Sequence, residues 1–265
     1  MIFAIIGSGN VATHFAIGLA KNEHKVLQVW SRDFTNAQIL AQKVGATAIT
    51  LLSELHASIN VILIAVNDDA VSIVLNDLNT YFPQNYRIIL HTSGTLPITV
   101  LSATAKQYGV LYPLQTLSKN VAINFFNVPL CVEANNVTTE HALLKIAKSV
   151  SNLVYMVNSN QRKTLHIAAI FACNFTNFFY AIADDLLQQN SLSFEMLKPL
   201  ILETANKILQ NPPQQVQTGP AIRNDQDTIN AHLMALNQHP DYQLLYKLIS
   251  NNILNLNQKN INSHQ

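Results

Sequence analysis

The sequence predicts two domains, an α/β domain with a mostly parallel sheet over residues 1–157 and an all-α domain over residues 158–265. Three observations predict this. A short apolar run, Ile2–Ile6, passes through Gly7-Ser8-Gly9 straight into an amphipathic segment. Apolar strand-like runs then alternate with helical periodicity as far as about residue 157, the pattern of a parallel sheet. From about Ser159 onward the periodicity is helical only.

Composition narrows the function classes. A chain of 265 residues that is 49% hydrophobic suffices for two buried cores. Charged residues make up only 12%, the net charge is +1, and lysine and arginine do not cluster, so neither nucleic acid nor an anionic membrane surface is an expected partner. Cys131 and Cys173 both lie in apolar runs and read as reduced core residues of a cytoplasmic protein; no Cys/His spacing suggests a metal site. The N-terminal apolar run lacks a basic start and continues into a strand, so it does not read as a signal peptide.

The first strand, turn and helix are those of a Rossmann-like dinucleotide site. Gly7 permits the sharp turn, Gly9 leaves room for a pyrophosphate beside the backbone, and the amides near Asn10 and Val11 point at it from a helix N-terminus. Ser8 lies between the glycines, and Ala12 fills the third small position. A tight turn without ligand, or one for S-adenosylmethionine, has the same local sequence. The helix runs to about Lys21, and Val26–Trp30 is the second strand. It ends in Ser31-Arg32 where NAD-binding units carry an acidic residue, and Asp33 comes one or two positions late. A hydroxyl and a guanidinium suit a 2′-phosphate, so NADP is favoured over NAD.

A helix over Phe34–Val44 ends at Gly45, and Val61–Val66 reads as a strand buried on both faces, with Val66 and Asn67 along the cofactor and Asp68 as a cap of the next helix. Arg87–Leu90 is the next strand, and His91, Thr92 and Ser93 follow at its carboxyl end, where ligands sit in such sheets. Val110-Leu111 leads to Tyr112. Val128–Val132 and Leu153–Val157 read as strands around a helix near Thr139–Val150.

In the second half, Leu165–Ala183 holds 19 residues without formal charge. That is long enough to span a bilayer, but His166, Asn174, Thr176 and Asn177 within it favour a helix buried on most sides, covered in part by a partner subunit. Ser193 caps the next helix, which stops before Pro212-Pro213; Asp225 caps another, and a last helix starts near Pro240. The Asn/Gln-rich end, about Asn255–Gln265, is expected to fray.

Six stretches together carry a resemblance that spans nearly the whole chain: Gly7–Ala12, Ala65–Ala70, His91–Gly94, Tyr112–Thr116, Asn174–Asn177 and Thr218–Asp225. They resemble a Rossmann-like family related to pyrroline-5-carboxylate reductase and prephenate dehydrogenase, within the 6-phosphogluconate-dehydrogenase-like group. The resemblance implies an NADP-type N-terminal domain, a helical C-terminal domain of the same group, a homodimer through the C-terminal helices and a ligand cleft between the domains. It supplies no reaction. Prephenate dehydrogenases have His-Pro where this chain has Tyr112-Pro113, and a histidine pair where it has Asn174 and Asn177. Pyrroline-5-carboxylate reductases have a small, Ser/Thr-rich loop where this chain adds Arg223 and Asp225. Lys163 is the nearest counterpart of the helix lysine of the hydroxy-acid dehydrogenases, without the glycine-rich lead-in.

An NADP-dependent reductase or dehydrogenase acting on a small C=O or C=N substrate is the reading these residues favour. It needs a group to hydrogen-bond or protonate the substrate. His166, Asn174 and Tyr112 are the catalytic candidates, and Asn177, Arg223 and Asp225 the candidates for holding substrate. Each has a plainer role open to it: a satisfied core histidine, helix-packing amides, a buried tyrosine, an Arg223–Asp225 ion pair. A non-catalytic NADP(H)-binding sensor or interaction protein is the alternative from another class. A methyltransferase is disfavoured by the missing acidic residue after the second strand.

Overall fold

The computed structural model describes residues 1–83 and 87–263. Its strands are β1 (Ile2–Ile6), β2 (Lys25–Trp30), β3 (Thr47–Ile49), β4 (Val61–Ile64), β5 (Ile88–His91), β6 (Gln107–Pro113), β7 (Leu130–Ala134) and β8 (Val154–Met156). They form one sheet in the order β3-β2-β1-β4-β5-β6-β7-β8. Every neighbouring pair is parallel except β6 and β7.

Helices α1 (Asn10–Lys21), α2 (Phe34–Val44), α3 (Asp68–Tyr81) and α4 (Val137–Val150) cover the sheet. Side chains alternate across a strand, so Phe3 and Ile5 enter one core with Phe15, Leu40 and Leu143, while Ala4 and Ile6 enter the other with Val74 and Leu78. All four residues of β4 are buried, as a strand sandwiched between two helical layers requires. The expected cap at Gly45 is present, with a φ of 66° that closes α2, and the structure adds an N-cap at Asp33, which accepts from the Thr35 and Asn36 amides. At α3 the cap differs from expectation. Asn67 is the capping residue and makes no side-chain capping bond, and Asp68 is already the first helical residue.

Mixed structure gives way to helix between Met156 and α5 (Ser159–Ala169). By compactness the chain divides later, into units of 1–174 and 175–265. Helix α5 continues through a π-turn, Ile170–Phe175, into α6 (Thr176–Gln188). The second unit holds α6 with α7 (Lys198–Gln210), α8 (Gln226–Ala235) and α9 (Pro240–Ser263). Asp225 caps α8 as expected, on the Thr228 amide. Ser193, expected to cap α7, instead caps the short 3-10 turn Phe194–Leu197 that leads into it, on the Glu195 amide, and Leu197 stands at the start of α7 without a side-chain capping bond.

Three expectations need correction. The Leu165–Ala183 stretch is not buried within the chain: none of the most apolar window of Ser159–Gln188 is covered, and Phe171, Phe175 and Phe178 are exposed. Cys173 lies on that surface and is exposed, while Cys131 is buried as expected. The C-terminal segment from Asn255 is not frayed as far as it is described, because α9 runs to Ser263; His264 and Gln265 lie outside the described residues.

Two buried polar residues organise the edge of the sheet nearest α5. Arg162, 1% exposed, pairs with Glu133 of β7 and donates to the Leu96 carbonyl at 2.6 Å. His91, at the end of β5, is fully buried and accepts from the Ser93 amide through Nδ1 at 3.1 Å. Burial, reinforced by the nearby Arg162 charge, pushes the His91 imidazole down to about 4. An unfolded histidine takes up its proton near 6.5, and the folded one resists it until about 4. Stability from His91 is therefore complete above pH 6.5 and lost as pH falls towards 4, by up to about 3 kcal/mol. Urea denaturation across that range should show this loss, and a His91→Gln variant should lack it. An identical pH slope in the two proteins would overturn the assignment.

Candidate functional site

The carboxyl ends of β1, β2 and β4 meet at the glycine turn. Gly7 has a φ of 125°, and a Cβ there would lie 2.2 Å from the Ala65 carbonyl oxygen and 3.3 Å from Val66. Its amide donates to the Trp30 carbonyl at 2.7 Å. Only glycine fits, and its fit locks the turn onto the ends of both flanking strands. Gly9 is different: its φ is −76°, and a Cβ there would meet no protein atom within 4 Å. The open side of Gly9 faces no part of the fold. It caps α1 with no side-chain hydrogen bond, and the first turn of α1 carries no acidic residue. Such a helix end leaves amides and a partial positive charge for an anion.

Ser8 and Ser31 are joined, hydroxyl to hydroxyl, at 2.8 Å. The turn after β1 and the end of β2 thus form one surface, on which Arg32 is exposed. Asp33 does not compete for a ligand hydroxyl there. Its Oδ1 accepts from the Thr35 and Asn36 amides and its Oδ2 from the Asn36 side chain. Ser31, Arg32 and the engaged Asp33 together make a strand end suited to a phosphate rather than to a bare ribose hydroxyl. Across the turn, Val66 is half-buried and Asn67 exposed.

The segment after β5 is held by a run of hydrogen bonds. Thr92 is buried, its amide donating to the Ile64 carbonyl. Ser93 Oγ accepts from the Thr95 and Leu96 amides, both at 3.0 Å. Thr95 Oγ1 donates to Asp68 at the start of α3. His91, expected among the cofactor contacts, is enclosed within the fold, so its ring offers no surface to a ligand in this conformation.

Two catalytic candidates come together. The Tyr112 hydroxyl lies 2.9 Å from His166 Nδ1, although the residues are 54 apart in sequence. The rings meet edge to face. A Cβ on Gly94 would lie 2.7 Å from His166 Nδ1 and 3.1 Å from Tyr112, so the loop after β5 closes over the pair only because this position is glycine. Burial pushes the Tyr112 phenol up to about 12, so it keeps its proton well above neutrality.

A cleft of about 710 Å³ within the first unit connects these parts. It starts at Asn10 and Val11 on the first turn of α1 and reaches Tyr112, His166 and Asn174. Asn10 also accepts from the Lys119 amide at 3.0 Å, which ties the segment after β6 to the start of α1. Asn174 lies in the π-turn, where one extra residue per turn re-aims side chains.

The remaining candidates belong to the second unit. Asn177 is exposed on α6. Arg223 is exposed and 4.0 Å from Asp225, whose carboxylate caps α8 by accepting from Thr228. The Thr228 amide holds that carboxylate below its ordinary range. Asp225 therefore has a structural role, and Arg223 has the ion pair open to it from sequence.

Sequence reasoning missed Arg162, Glu133 and Gly94. Arg162 precedes His166 by four residues and so shares its helix face. An arginine one helical turn before His166, at the head of a long apolar stretch, was the available signal. Its partner Glu133 is 29 residues away and could not be read from spacing.

Residues 2–89 match the family model described as NADP oxidoreductase, coenzyme F420-dependent, and residues 128–253 match DUF2520, a domain of unknown function. No curated protein matches the chain. Among solved structures, a "putative NADP oxidoreductase" from Bacteroides fragilis is 38% identical, with a TM-score of 0.89 over 96% of this chain and 98% of that one. The 1-pyrroline-5-carboxylate reductase of Streptococcus pyogenes shares the fold at 12% identity, with a TM-score of 0.64 over 98% of each chain. So does an imine reductase from Myxococcus stipitatus in complex with NADP+, at 11% identity and a TM-score of 0.65 over 99% of this chain and 95% of that one. At 38% identity over nearly its whole length, the chain belongs to the same family as the Bacteroides protein, NADP oxidoreductases with a Rossmann-like N-terminal domain, and it shares their fold with the pyrroline-5-carboxylate reductases.

Proposed function

We propose that the protein is an NADPH-dependent reductase of a small C=O or C=N substrate. The observation that carries this reading is the single cleft that runs from the bare N-terminus of α1 to the Tyr112–His166 pair. The glycine turn fits the cofactor: Gly9 leaves open space at a helix end free of acidic side chains. Gly7, Ser8, Gly9, Asn10 and Val11 would hold the pyrophosphate, and Ser31 and Arg32 the 2′-phosphate. Val66, Asn67, Thr92 and Ser93 would flank the rest. When bound, NADPH supplies the hydride that reduces the substrate carbon, and leaves as NADP+.

The protein's own groups supply the proton. The Tyr112 hydroxyl gives its proton to the substrate oxygen or nitrogen and is reprotonated from Nδ1 of His166, whose other ring nitrogen takes up a proton from solvent. Asn174 offers an amide to the same substrate from the π-turn. Arg223 and Asn177 are assigned no part in this step.

We also propose a homodimer through the C-terminal helices. Among the described residues of 175–256, only Ala221, Ile229 and Ser250 are buried. A helical unit with so little core of its own needs apolar cover. A second copy provides it, and the apolar stretch of Ser159–Gln188 is read as part of that interface rather than as a membrane span. A cytoplasmic location accompanies this reading.

Three outcomes test these proposals. In fluorescence titrations NADPH should bind at least about tenfold tighter than NADH, and Arg32→Ala should erase the difference. Gly9→Ala should weaken binding of NADPH while leaving thermal stability unchanged, since its Cβ meets only open space. Equal affinity for the two cofactors would sink the NADP preference. With a carbonyl substrate that supports NADPH oxidation, Tyr112→Phe should lower kcat by about 10²–10⁴-fold without changing NADPH affinity. Full activity in that variant would remove Tyr112 from the chemistry, and NADPH binding without oxidation across a carbonyl and imine panel would favour the sensor alternative. Finally, light scattering at micromolar concentration should return twice the 29.4 kDa chain mass; a monodisperse monomer would refute the dimer.

A further inference from the structure

We infer that this cleft takes an uncharged carbonyl compound with a hydrocarbon body and discriminates against carboxylates. The inference rests on the reductase reading and names the substrate class of the same site.

The lining carries it. Leu114, Leu117, Leu165 and Ile170 form apolar walls. Along the helix, Ala168, Ala169 and Ala172 keep side chains short, so the space between those walls is left for a ligand. The polar lining groups are neutral or hydrogen-bonded in pairs: Gln115, Thr116 and Asn174, and the Tyr112–His166 couple. Among the described residues, the lining includes no lysine, arginine, aspartate or glutamate. The two cations near the head of α5 do not serve as counter-ions. Arg162 is buried and already paired with Glu133, and Lys163 is exposed and outside the lining.

The buried acids beside the cleft report the same environment. Burial raises the Tyr112 phenol, and it raises the Cys131 thiol, which sits opposite Tyr112 in the β6–β7 register. Both groups resist negative charge even with Arg162 close enough to pull the other way. A carboxylate entering this space gives up hydration and finds no opposite charge, whereas a hydrocarbon body gains from leaving water. The positively polarised end of α1 is the anion-favouring part of the cleft, and it is taken by the cofactor's pyrophosphate in the reading above. A single carbonyl oxygen, by contrast, has donors waiting at Tyr112 and Asn174.

The test compares cyclohexanone with 3-oxocyclohexane-1-carboxylate, which differ by one carboxylate. Both are titrated against the full chain by thermal shift, with and without NADP+, and both are offered as substrates with NADPH. Cyclohexanone should bind at least about tenfold tighter than the keto acid. Gln115→Arg, an exposed position on the cleft wall, should narrow or reverse that ratio by adding the missing counter-ion. Equal or tighter binding of the keto acid by the unaltered chain overturns the inference, and its loss in Arg223→Gln would then name the cation responsible. Failure of both ketones to bind while NADPH still binds also overturns it and leaves the cofactor reading standing. Failure of NADPH to bind defeats the reductase reading, and the two ketones, read without cofactor, still decide the charge preference.

Discussion

One buried cation, Arg162, fixes the end of the cleft that holds the Tyr112–His166 pair. Arg162 reaches from α5 to Glu133 on β7, and its guanidinium also meets the Leu96 carbonyl and, at 3.3 Å, Ser159 Oγ. Ser159 in turn donates to Glu133 and accepts from the Ile98 amide. The start of α5, the end of the sheet and the segment after β5 are thereby fastened at one point. Breaking such a pair by removing one partner costs about 3–5 kcal/mol, because the other charge is left buried without compensation. His166 lies one helical turn beyond Arg162 on the same face, so the anchor that holds the helix also sets the distance from His166 to Tyr112.

The same anchor explains the electrostatic division of the cleft. At one end stands the N-terminus of α1, with unfilled amides and no acidic neighbour. At the other end the buried Arg162 is already neutralised by Glu133, and the Tyr112 phenol and the Cys131 thiol are held in their uncharged forms by burial. One end of the cleft favours anions and the other disfavours them. A phosphate-bearing cofactor and an uncharged reacting group can share the space without competing for the same end.

The two halves of the chain bury themselves very differently. The sheet is enclosed by two helical layers and has cores on both faces. The helices after Asn174 have an apolar groove of about 330 Å³ between α6, α9 and the segment Thr218–Ala221, and leave Leu200, Leu202, Leu209 and Met234 largely exposed. Helical periodicity guarantees that each of these helices has an apolar face; it does not say which molecule covers that face.

Local constraints were legible in the sequence. The Gly7–Gly9 turn, the caps at Gly45 and Asp225, and the β1, β2 and β4 strands follow from backbone sterics and side-chain periods within about a dozen residues, and each stands where it was read. The three-residue β3 was too short to show a period. Folding over long separations decided the rest. Tyr112 meets His166 across 54 residues and Glu133 meets Arg162 across 29, distances at which nothing in the local pattern encodes contact. His91 and Cys173 changed sides for the same reason: a strand end became core, and an apolar helix face was left uncovered within the chain. The sequence by itself determined where the backbone turns and which faces are apolar, because those depend on neighbouring residues. Only the tertiary structure decided which polar groups lost their water and found each other, because burial belongs to the packed fold and not to any one segment of it.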